Sequence, residues 1–479
     1  MDDKRHLAPD KTHLSRAVLG AADITFMVVA VAAPVAVVVA TMPLAFALGN
    51  GAGVAGTFVL VAIAMALLAA GYVKLVPEIP NAGAFYAIVA AAFGRVCGLA
   101  AAYTALLSYV ALCIATLGAL AFFTADLAKQ TAGIELPWAI CGFAAMAMVA
   151  VLSYYRVTLT AKILGVALVA EVALILALDV AIVSQNGWRL PLLPVSPQAV
   201  FSPGLGIAAI YAFNSCIGFE GTAIYQEEAR DREKTIPRAT YAFIAIAAVF
   251  YVFTAWCLAT AAGPTEVGRV AGSDPGHFVF AIANRYLGGG AELVLSILVI
   301  TSAFAAVLGL FNNSARYVFA LARDGVLPAA LAVTHPRYGS PFAAGLPVLL
   351  VMACVVTAFA LAGLDPLLSL ATSLTGVGSV GLMALLSLTG LAIPSFFRRQ
   401  GRTGLTLIVF PTIAGIMIAI ATALSILNYS ALTGSSSTLI NALPAVLLLT
   451  AAIGCGQALW LRSKRPLQFQ RIGTTRIEE

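Results

Sequence analysis

Charged side chains are scarce in this chain of 479 residues, where Asp, Glu, Lys and Arg together make up 10% and hydrophobic residues make up 61%. Soluble globular domains carry about 25% charged residues. The composition therefore excludes a soluble globular protein and predicts an integral membrane protein surrounded by the lipid bilayer. The polar start, MDDKRHLAPDKTHLSR, lacks the apolar core and cleavage site of a signal peptide. We expect the first membrane helix to act as its own insertion signal.

Histidine is scarce as well, and all four residues (His6, His13, His277 and His335) fall in predicted tails or loops. No pairing of a nucleophile with a base is evident in the apolar segments, so the sequence argues against an enzyme. The seven cysteines are scattered without metal-ligand or redox spacing, and we expect them to pack as small hydrophobic side chains. The sequence predicts no cofactor and no metal site.

Long apolar runs, in contrast, are abundant. The hydrocarbon core of a bilayer is about 30 Å thick, and a helix needs about 20 apolar residues to cross it. The sequence therefore predicts an all-α membrane protein with about twelve transmembrane helices, spans one to twelve. These lie at 21–47, 53–76, 96–125, 136–155, 161–184, 203–226, 239–262, 290–320, 342–362, 366–393, 405–428 and 438–461.

The basic residues are distributed unequally between the two sides of the predicted membrane. If Met1 lies inside, the outer loops hold only Lys129, Arg189, Arg269 and Arg285 of the 27 Lys and Arg. Cytoplasmic loops carry an excess of Lys and Arg. The sequence thus predicts a multi-pass protein of the inner (cytoplasmic) membrane with both termini in the cytoplasm. The basic residues behind the net charge of +6 then set the orientation of the chain in the membrane, and no nucleic-acid partner is expected.

Two segments of the chain resemble each other. YAIVAAAFG (Tyr86 to Gly94) and FAIANRYLG (Phe280 to Gly288) each combine an aromatic residue, Ala-Ile and a later Gly, and each precedes the third span of its half. The halves begin on opposite sides of the membrane, so the pattern indicates an inverted repeat of five plus five spans. The predicted regions are an N-terminal tail (1–20), a first repeat (21–184), a second repeat (203–393), two further helices (405–461) and a C-terminal tail (462–479).

The first span of each predicted half contains residues that disfavour a continuous helix. Span one has Pro34 at mid-membrane, and span six has Asn214, Ser215 and Gly218 at similar depth. Proline removes a backbone hydrogen bond and clashes with the preceding turn. Transporters with inverted repeats build their central site from such discontinuous helices. Spans one and six are therefore predicted to be broken around a binding site.

Three motifs resemble the amino acid–polyamine–organocation (APC) superfamily of secondary transporters. They are GFEGTAIYQEEARDREKTIPRA (Gly218 to Ala239), IPNAGAFYAIVAAAFG (Ile79 to Gly94) and NNSARYVFALARDGVLP (Asn312 to Pro328). The resemblance implies the five-plus-five inverted-repeat fold with broken helices one and six, followed by two C-terminal helices. The sequence departs from many relatives in lacking a Gly-rich stretch in span one and in having Asn214 where an aromatic residue is common.

The two breaks suggest how a zwitterionic amino acid could bind. Amides freed at the break in span one suit a carboxylate, and freed carbonyls suit an ammonium group. The predicted amides belong to Ala33, Val35 and Ala36, and the predicted carbonyls to Ala30, Val31, Phe213 and Asn214. Pro34 and Gly218 mark the breaks, and Asn214, Ser215 and Cys216 would face the rest of the substrate.

Three carboxyl groups lie within apolar spans, where an ionisable group is costly and becomes a candidate for function. The resemblance places Glu171 near Thr301 and Ser302, where sodium-coupled relatives hold a cation. We expect Glu171 to exchange a proton, although a carboxylate with two hydroxyls also suits Na⁺. Glu220 is predicted to act as a gate or linker beside the break in span six. Asp179, near the outer end of span five, is expected to reach water.

The sequence thus predicts a secondary active transporter that moves amino acids, or closely related small amines, by alternating access, with proton coupling favoured. A Na⁺-coupled symporter or an amino acid/amine exchanger of the same fold is the alternative, and a channel or membrane receptor is the alternative outside transport. The substrate, the direction of transport and the oligomeric state stay open at this point.

Overall fold

The computed structural model describes residues 20–79, 85–155, 159–220, 222, 229–336, 338–433 and 441–473. The regular elements of this described part are helices, and eleven of them are long and apolar enough to cross a membrane. They are Ala21–Leu48, Gly51–Glu78, Arg95–Ala132, Trp138–Tyr155, Val166–Gln185, Glu233–Ala262, Gly290–Arg323, Phe342–Leu361, Pro366–Arg399, Leu405–Leu427 and Ala445–Lys464.

These helices correspond to spans one to five and seven to twelve, so the prediction of a multi-span all-α protein is confirmed. Predicted span six begins as the ten-residue helix Leu205–Asn214. Beyond Glu220, its second half lies outside the described residues apart from Thr222. We call the side where span one begins and span twelve ends the terminal face, and the opposite side the far face.

Burial separates central spans from peripheral ones. Span three (Arg95–Ala132) is the most enclosed, with 78% of its apolar window buried, and span ten (Pro366–Arg399) follows. Span twelve (Ala445–Lys464), with 22% buried, stands at the periphery. Side chains such as Leu448 on this span and Leu350 on span nine (Phe342–Leu361) point outward. An apolar helix can expose such side chains to lipid because all of its backbone hydrogen bonds are internal.

The two similar segments have the same local structure. Helix Phe85–Phe93 ends at Gly94, with φ 92° and ψ 164°, and helix Phe278–Leu287 ends at Gly288, with φ 92° and ψ 170°. Such a conformation is essentially restricted to glycine. Each glycine turns the chain directly into a long helix, span three or span eight. The boundaries of the wider repeats, 21–184 and 203–393, stay a prediction.

Span one is broken next to its central proline. Its first helix, Ala21–Ala32, stops at Ala33, which adopts the left-handed conformation with φ 45° and ψ 71°. The helix resumes at Pro34, whose missing N–H is not needed at a helix start. A left-handed non-glycine residue costs about 1–2 kcal/mol. Ala33 thus adopts a conformation that glycine usually supplies, directly before the proline.

Span six is broken by a series of turns. After the helix ends at Asn214, the amide of Cys216 donates to the carbonyl of Phe213 at 2.9 Å, and the amide of Ile217 donates to the carbonyl of Asn214 at 3.2 Å. Gly218 then takes a positive φ of 109°. The chain thus leaves the helical path in the middle of the membrane, as in span one, and the two predicted breaks are present.

Candidate functional site

A central cavity of about 70 Å³ lies where the two breaks meet. Span one contributes Ala33 and Ala36 to its wall, and span six contributes Asn214 and Ile217. Spans three, eight and ten complete the enclosure, and the cavity extends along them toward the far face as far as Phe123. A space at the junction of two interrupted helices is the usual position of a substrate site in this class of fold.

The cavity wall is made mainly of small apolar side chains. Alanines occupy successive turns of span three (Ala115 and Ala119) and of span eight (Ala303 and Ala306). Among the described residues that line the cavity none is charged, and the polar ones are three threonines, Tyr211 and Asn214. The wall therefore suits a ligand whose bulk is apolar.

Tyr211 is the polar residue of the wall with an unused hydroxyl group. Its side chain is buried, and the hydroxyl has no hydrogen-bond partner in the described part of the chain. An unpaired buried hydroxyl costs about 1–3 kcal/mol. The side chain lines the cavity, so Tyr211 is a candidate substrate contact.

Aromatic side chains close the space between the cavity and the terminal face. The rings of Tyr72 and Phe219 lie 4.6 Å apart between centroids, and those of Tyr109 and Tyr317 lie 5.3 Å apart. Tyr86 adds an edge-on contact with Tyr317. All five residues are fully buried. We call Tyr72, Tyr86, Tyr109, Tyr317 and Phe219 the aromatic seal.

Glu220 lies within this seal, with 2% of its surface exposed. Its carboxylate accepts hydrogen bonds from the Tyr109 hydroxyl and, at 3.3 Å, from the amide of Gly218. The Tyr72 hydroxyl donates to the backbone carbonyl of Glu220 at 3.5 Å. Glu220 thereby ties the break in span six to spans two and three, which is the arrangement expected of a linker on the closed side.

Glu171 lies on span five, which packs against the break in span one, and is 3% exposed. Its carboxylate lies next to the Ser302 hydroxyl and the amide of Val35. The Ser302 oxygen in turn accepts from the amide of Ala36 at 3.4 Å. Thr301 is next to the same carboxylate, while its proton is directed to the carbonyl of Leu298 at 3.0 Å. The structure thus brings together the three side chains that the sequence grouped.

The structure distributes the predicted substrate residues over three places. Ala33, Ala36 and Asn214 line the central cavity. Phe213 and Cys216 face a much smaller cavity, on the side of span six that packs on span ten, together with Glu220 and Ser379. The others lie outside both cavities: Pro34, Val35 and Ser215 are buried, Gly218 donates to Glu220, and the side chains of Ala30 and Val31 lie outside the described residues.

Two details of the predicted binding chemistry differ from expectation. The amide of Ala36 donates to the Ser302 hydroxyl oxygen and the amide of Val35 lies next to Glu171, so neither is directed as a free donor at the cavity. The carbonyls of Phe213 and Asn214 each accept a bond in the turn that follows. The reason is that unpaired backbone groups in a membrane interior are costly, so nearby side chains and turns satisfy them.

Sequence reasoning missed the walls supplied by spans three, eight and ten and by Tyr211. Alanine pairs such as Ala115 and Ala119 have a spacing that places them on one helix face, which is a signal in principle. Small residues at this spacing also mark ordinary helix packing in membranes. The pattern alone could not separate a cavity wall from a helix contact.

Comparison with known proteins gives a consistent result. A sequence model of the amino acid permease family matches residues 19–453. The chain is 23% identical over 322 residues to the branched-chain amino acid permease BcaP of Bacillus subtilis (strain 168), covering 62% of this chain and 66% of that protein. It is 24% identical over 314 residues to the methylthioribose transporter of the same organism, covering 62% and 65%.

A third relative is the low-affinity putrescine importer PlaP of Escherichia coli (strain K12), 25% identical over 282 residues that cover 58% of this chain and 61% of the relative. The matched regions thus span less than two thirds of these relatives. Among solved structures, a mutant of the manganese transporter of Eremococcus coleocola superposes with a TM-score of 0.54 at 16% identity, covering 93% of this chain and 95% of that one. At this identity the likeness shows the fold.

Proposed function

We propose that this chain, which belongs to the amino acid permease family, is a secondary active transporter that moves a small amino acid or related amine by alternating access. The observation that carries the proposal is the cavity of small side chains at the junction of two broken helices. The cavity extends toward the far face, and the aromatic seal closes it toward the terminal face. A site that faces one side at a time is what alternating access requires.

The terminal face is proposed to be the cytoplasmic one, in the inner membrane. The support is the distribution of Lys and Arg, of which only Lys129, Arg189, Arg269 and Arg285 fall on far-face segments in the predicted topology. In that orientation the cavity extends toward the outside and the aromatic seal closes the cytoplasmic side. The structure then corresponds to a state that receives substrate from outside.

The cavity favours a substrate with a single ammonium group and an uncharged side chain. No carboxylate lies among its described lining residues, so a second ammonium group, as in putrescine, would have no counter-charge. Burying an unpaired charge in a low-dielectric site is strongly unfavourable. Of the three named relatives, the branched-chain amino acid permease therefore offers the best chemical match to this wall.

Glu171 is proposed to couple proton movement to transport. When ionised, it attracts the amide of Val35 and the hydroxyl of Ser302, which lie next to it, and so stabilises the break in span one. Protonation removes this charge and weakens the attraction. The break can then rearrange while the bundle of spans one, two, six and seven rocks against the rest. A Na⁺ ion at the same oxygen atoms is the competing interpretation, because hard cations prefer oxygen ligands.

Uptake into proteoliposomes tests the proposal directly. Leucine, valine, lysine, glutamate, putrescine and methylthioribose are offered under an imposed pH gradient, an imposed Na⁺ gradient or neither. We expect saturable uptake and counterflow of neutral amino acids that the pH gradient accelerates. Flux without saturation or counterflow would indicate a channel and would overturn the proposal, as would the absence of binding and transport of every amino acid.

The variant Glu171→Gln separates coupling from binding. It should abolish the acceleration by the pH gradient and leave counterflow. Glu78→Gln is the matched control, because Glu78 is a half-exposed carboxylate paired with Arg402 on the terminal face. Acceleration by Na⁺ alone, lost in Glu171→Gln, would replace the proton with Na⁺ at this site.

A further inference from the structure

Asp179 is a second acid of span five that the proposed coupling does not use. Sequence reasoning placed it close enough to the far face to reach water, but the structure buries it completely, with 0% of its surface exposed. The reason is that span seven packs across this part of span five. Asp179 is eight residues beyond Glu171, about 12 Å along the helix at 1.5 Å per residue. The two acids are therefore separate sites.

The partners of Asp179 come from span seven. The Thr254 hydroxyl donates to Oδ2 of Asp179 at 2.7 Å, and Cys257 lies near the same carboxyl group. Oδ1 has no partner among the described residues. In this half of the molecule, the other titratable groups on the helices packed against span five are Tyr251 on span seven, Arg285 and Tyr286 on helix Phe278–Leu287, and Glu292 on span eight.

This set of partners is too small for an ionised carboxylate. A carboxylate has about four acceptor positions, and among the described residues the Thr254 hydroxyl is the donor that serves them. Leaving a buried charge without a counter-ion costs far more than leaving one neutral oxygen without a partner. We call the packed contact between spans five and seven at Asp179, Thr254 and Cys257 the seam. Its few hydrogen-bond donors favour the uncharged form of the acid.

The seam joins two parts that move relative to each other if the transporter rocks as proposed. Span seven belongs to the moving bundle, and its Tyr251 hydroxyl donates to the carbonyl of Ala32, at the break in span one, at 3.5 Å. Thr254 and Cys257 follow on the next turns of the same helix. A change at Asp179 thus acts on the helix that contacts the break.

We infer that Asp179 is a second proton-binding site, whose uncharged form keeps spans five and seven packed and whose ionisation opens the seam between them to water. The inference rests on the proposed rocking of the bundle for its role in transport. The proton leaves the carboxyl group for water that enters the opened seam and returns from water before the seam closes. Each opening therefore releases one proton.

Cys257 is a natural reporter of this seam, because it is completely buried beside Asp179. The full chain is reconstituted in liposomes and treated with N-ethylmaleimide between pH 5 and pH 9, and modification of Cys257 is quantified by mass spectrometry. Dividing the wild-type rate by that of Asp179→Asn at each pH removes the ionisation of the thiol itself. The ratio should rise about tenfold per pH unit over the range in which the acid ionises, because one proton is released per opening.

Two further variants complete the test. Thr254→Val leaves the acid but removes its hydroxyl partner, and should raise Cys257 modification about fivefold at low pH, the equivalent of one hydrogen bond. Glu171→Gln should leave the pH profile of Cys257 unchanged even though it abolishes coupling. A rate ratio that stays constant from pH 5 to pH 9, with Thr254→Val also unchanged, overturns the inference about Asp179. If the proposed function is wrong, the rate of uptake by the wild-type protein does not depend on the imposed pH gradient.

Discussion

The two halves of the central region, on either side of the helix breaks, are built from the same spans but from different side chains. Toward the far face, span three presents Ala115 and Ala119, and span eight presents Ala303 and Ala306. Toward the terminal face the same two helices present Tyr109 and Tyr317, packed with the rest of the aromatic seal. In this structure, small side chains thus line the side with the cavity, and large aromatic side chains fill the closed side.

The comparison also explains how the closed side can open again. Aromatic pairs contribute about 0.5–1.5 kcal/mol each beyond their buried area, so the seal is held by several modest contacts and by the hydrogen bond from Tyr109 to Glu220. Shifting a two-state equilibrium from 1:99 to 99:1 takes about 5.5 kcal/mol. A seal of this composition lies within reach of the free energy that binding of the proposed substrate and coupling ion would supply.

The largest expected effect comes from placing a large side chain in the alanine wall of the cavity. Ala115→Phe places a ring in the cavity, and overpacking of this kind costs about 1–3 kcal/mol. Uptake should fall by about 100-fold at low substrate concentration, measured in proteoliposomes. Ala144→Phe, on the exposed side of span four, is the control and should transport normally. Normal uptake by Ala115→Phe would mean that substrate does not pass this wall.

Weakening the closed half should have the next largest effect. Tyr109→Phe keeps the ring but removes the hydroxyl that donates to Glu220. A hydrogen bond to a charged group contributes about 1.5–3 kcal/mol, so the seal should open at least about tenfold more often. The measurement is modification of Cys216, half-buried beside Glu220, by an impermeant maleimide applied to the terminal face in inside-out vesicles.

Tyr103→Phe provides the matched control for this experiment. Tyr103 is on the same span and donates its hydroxyl to Gln457 on span twelve, away from the seal. Its loss should leave modification of Cys216 unchanged. Equal modification in both variants would contradict a specific role for the bond between Tyr109 and Glu220.

A smaller effect is expected from the polar residue of the open half. Tyr211→Phe removes a hydroxyl without an internal partner, so thermal stability should not fall, while KM for the substrate should rise about fivefold, the equivalent of one lost hydrogen bond. Tyr429→Phe should show the reverse, since its hydroxyl donates to the carbonyl of Ser373 at 2.7 Å. Lower stability without a change in KM for Tyr211→Phe would remove it from the site.

The smallest effect concerns the surface of the far face. Burial lowers the pKa of His277, but hydrogen bonds to Asp274 and Asp126 outweigh it and raise the pKa above its usual value. The stabilisation is complete below about pH 6.5, the unfolded value, and is lost as pH rises through the raised pKa. Thermal unfolding in detergent should therefore show a small fall in Tm from pH 6 to pH 8. His277→Gln should remove this fall, and an identical fall in that variant would assign it to other groups.

The sequence predicted the spans and the grouping of Glu171 with Ser302 and Thr301, because hydropathy and family motifs act over long stretches. It did not predict the burial of Asp179, because the distance from a helix end says nothing about which neighbour covers that face. The cavity walls from spans three and eight were missed for a related reason. Alanine is equally common in helix contacts, and only the tertiary arrangement shows where two alanine faces leave a space.

The left-handed Ala33 has a consequence for engineering this protein. The carboxyl group of Glu171, which is proposed to carry the proton, also lies next to the amide of Val35, two residues after the strained Ala33. The interruption of span one and the proposed coupling thus share the same contacts. Substitutions that make span one a continuous helix should therefore raise the thermal stability of the protein and abolish the proposed transport. Screens for thermostability alone would then select against activity.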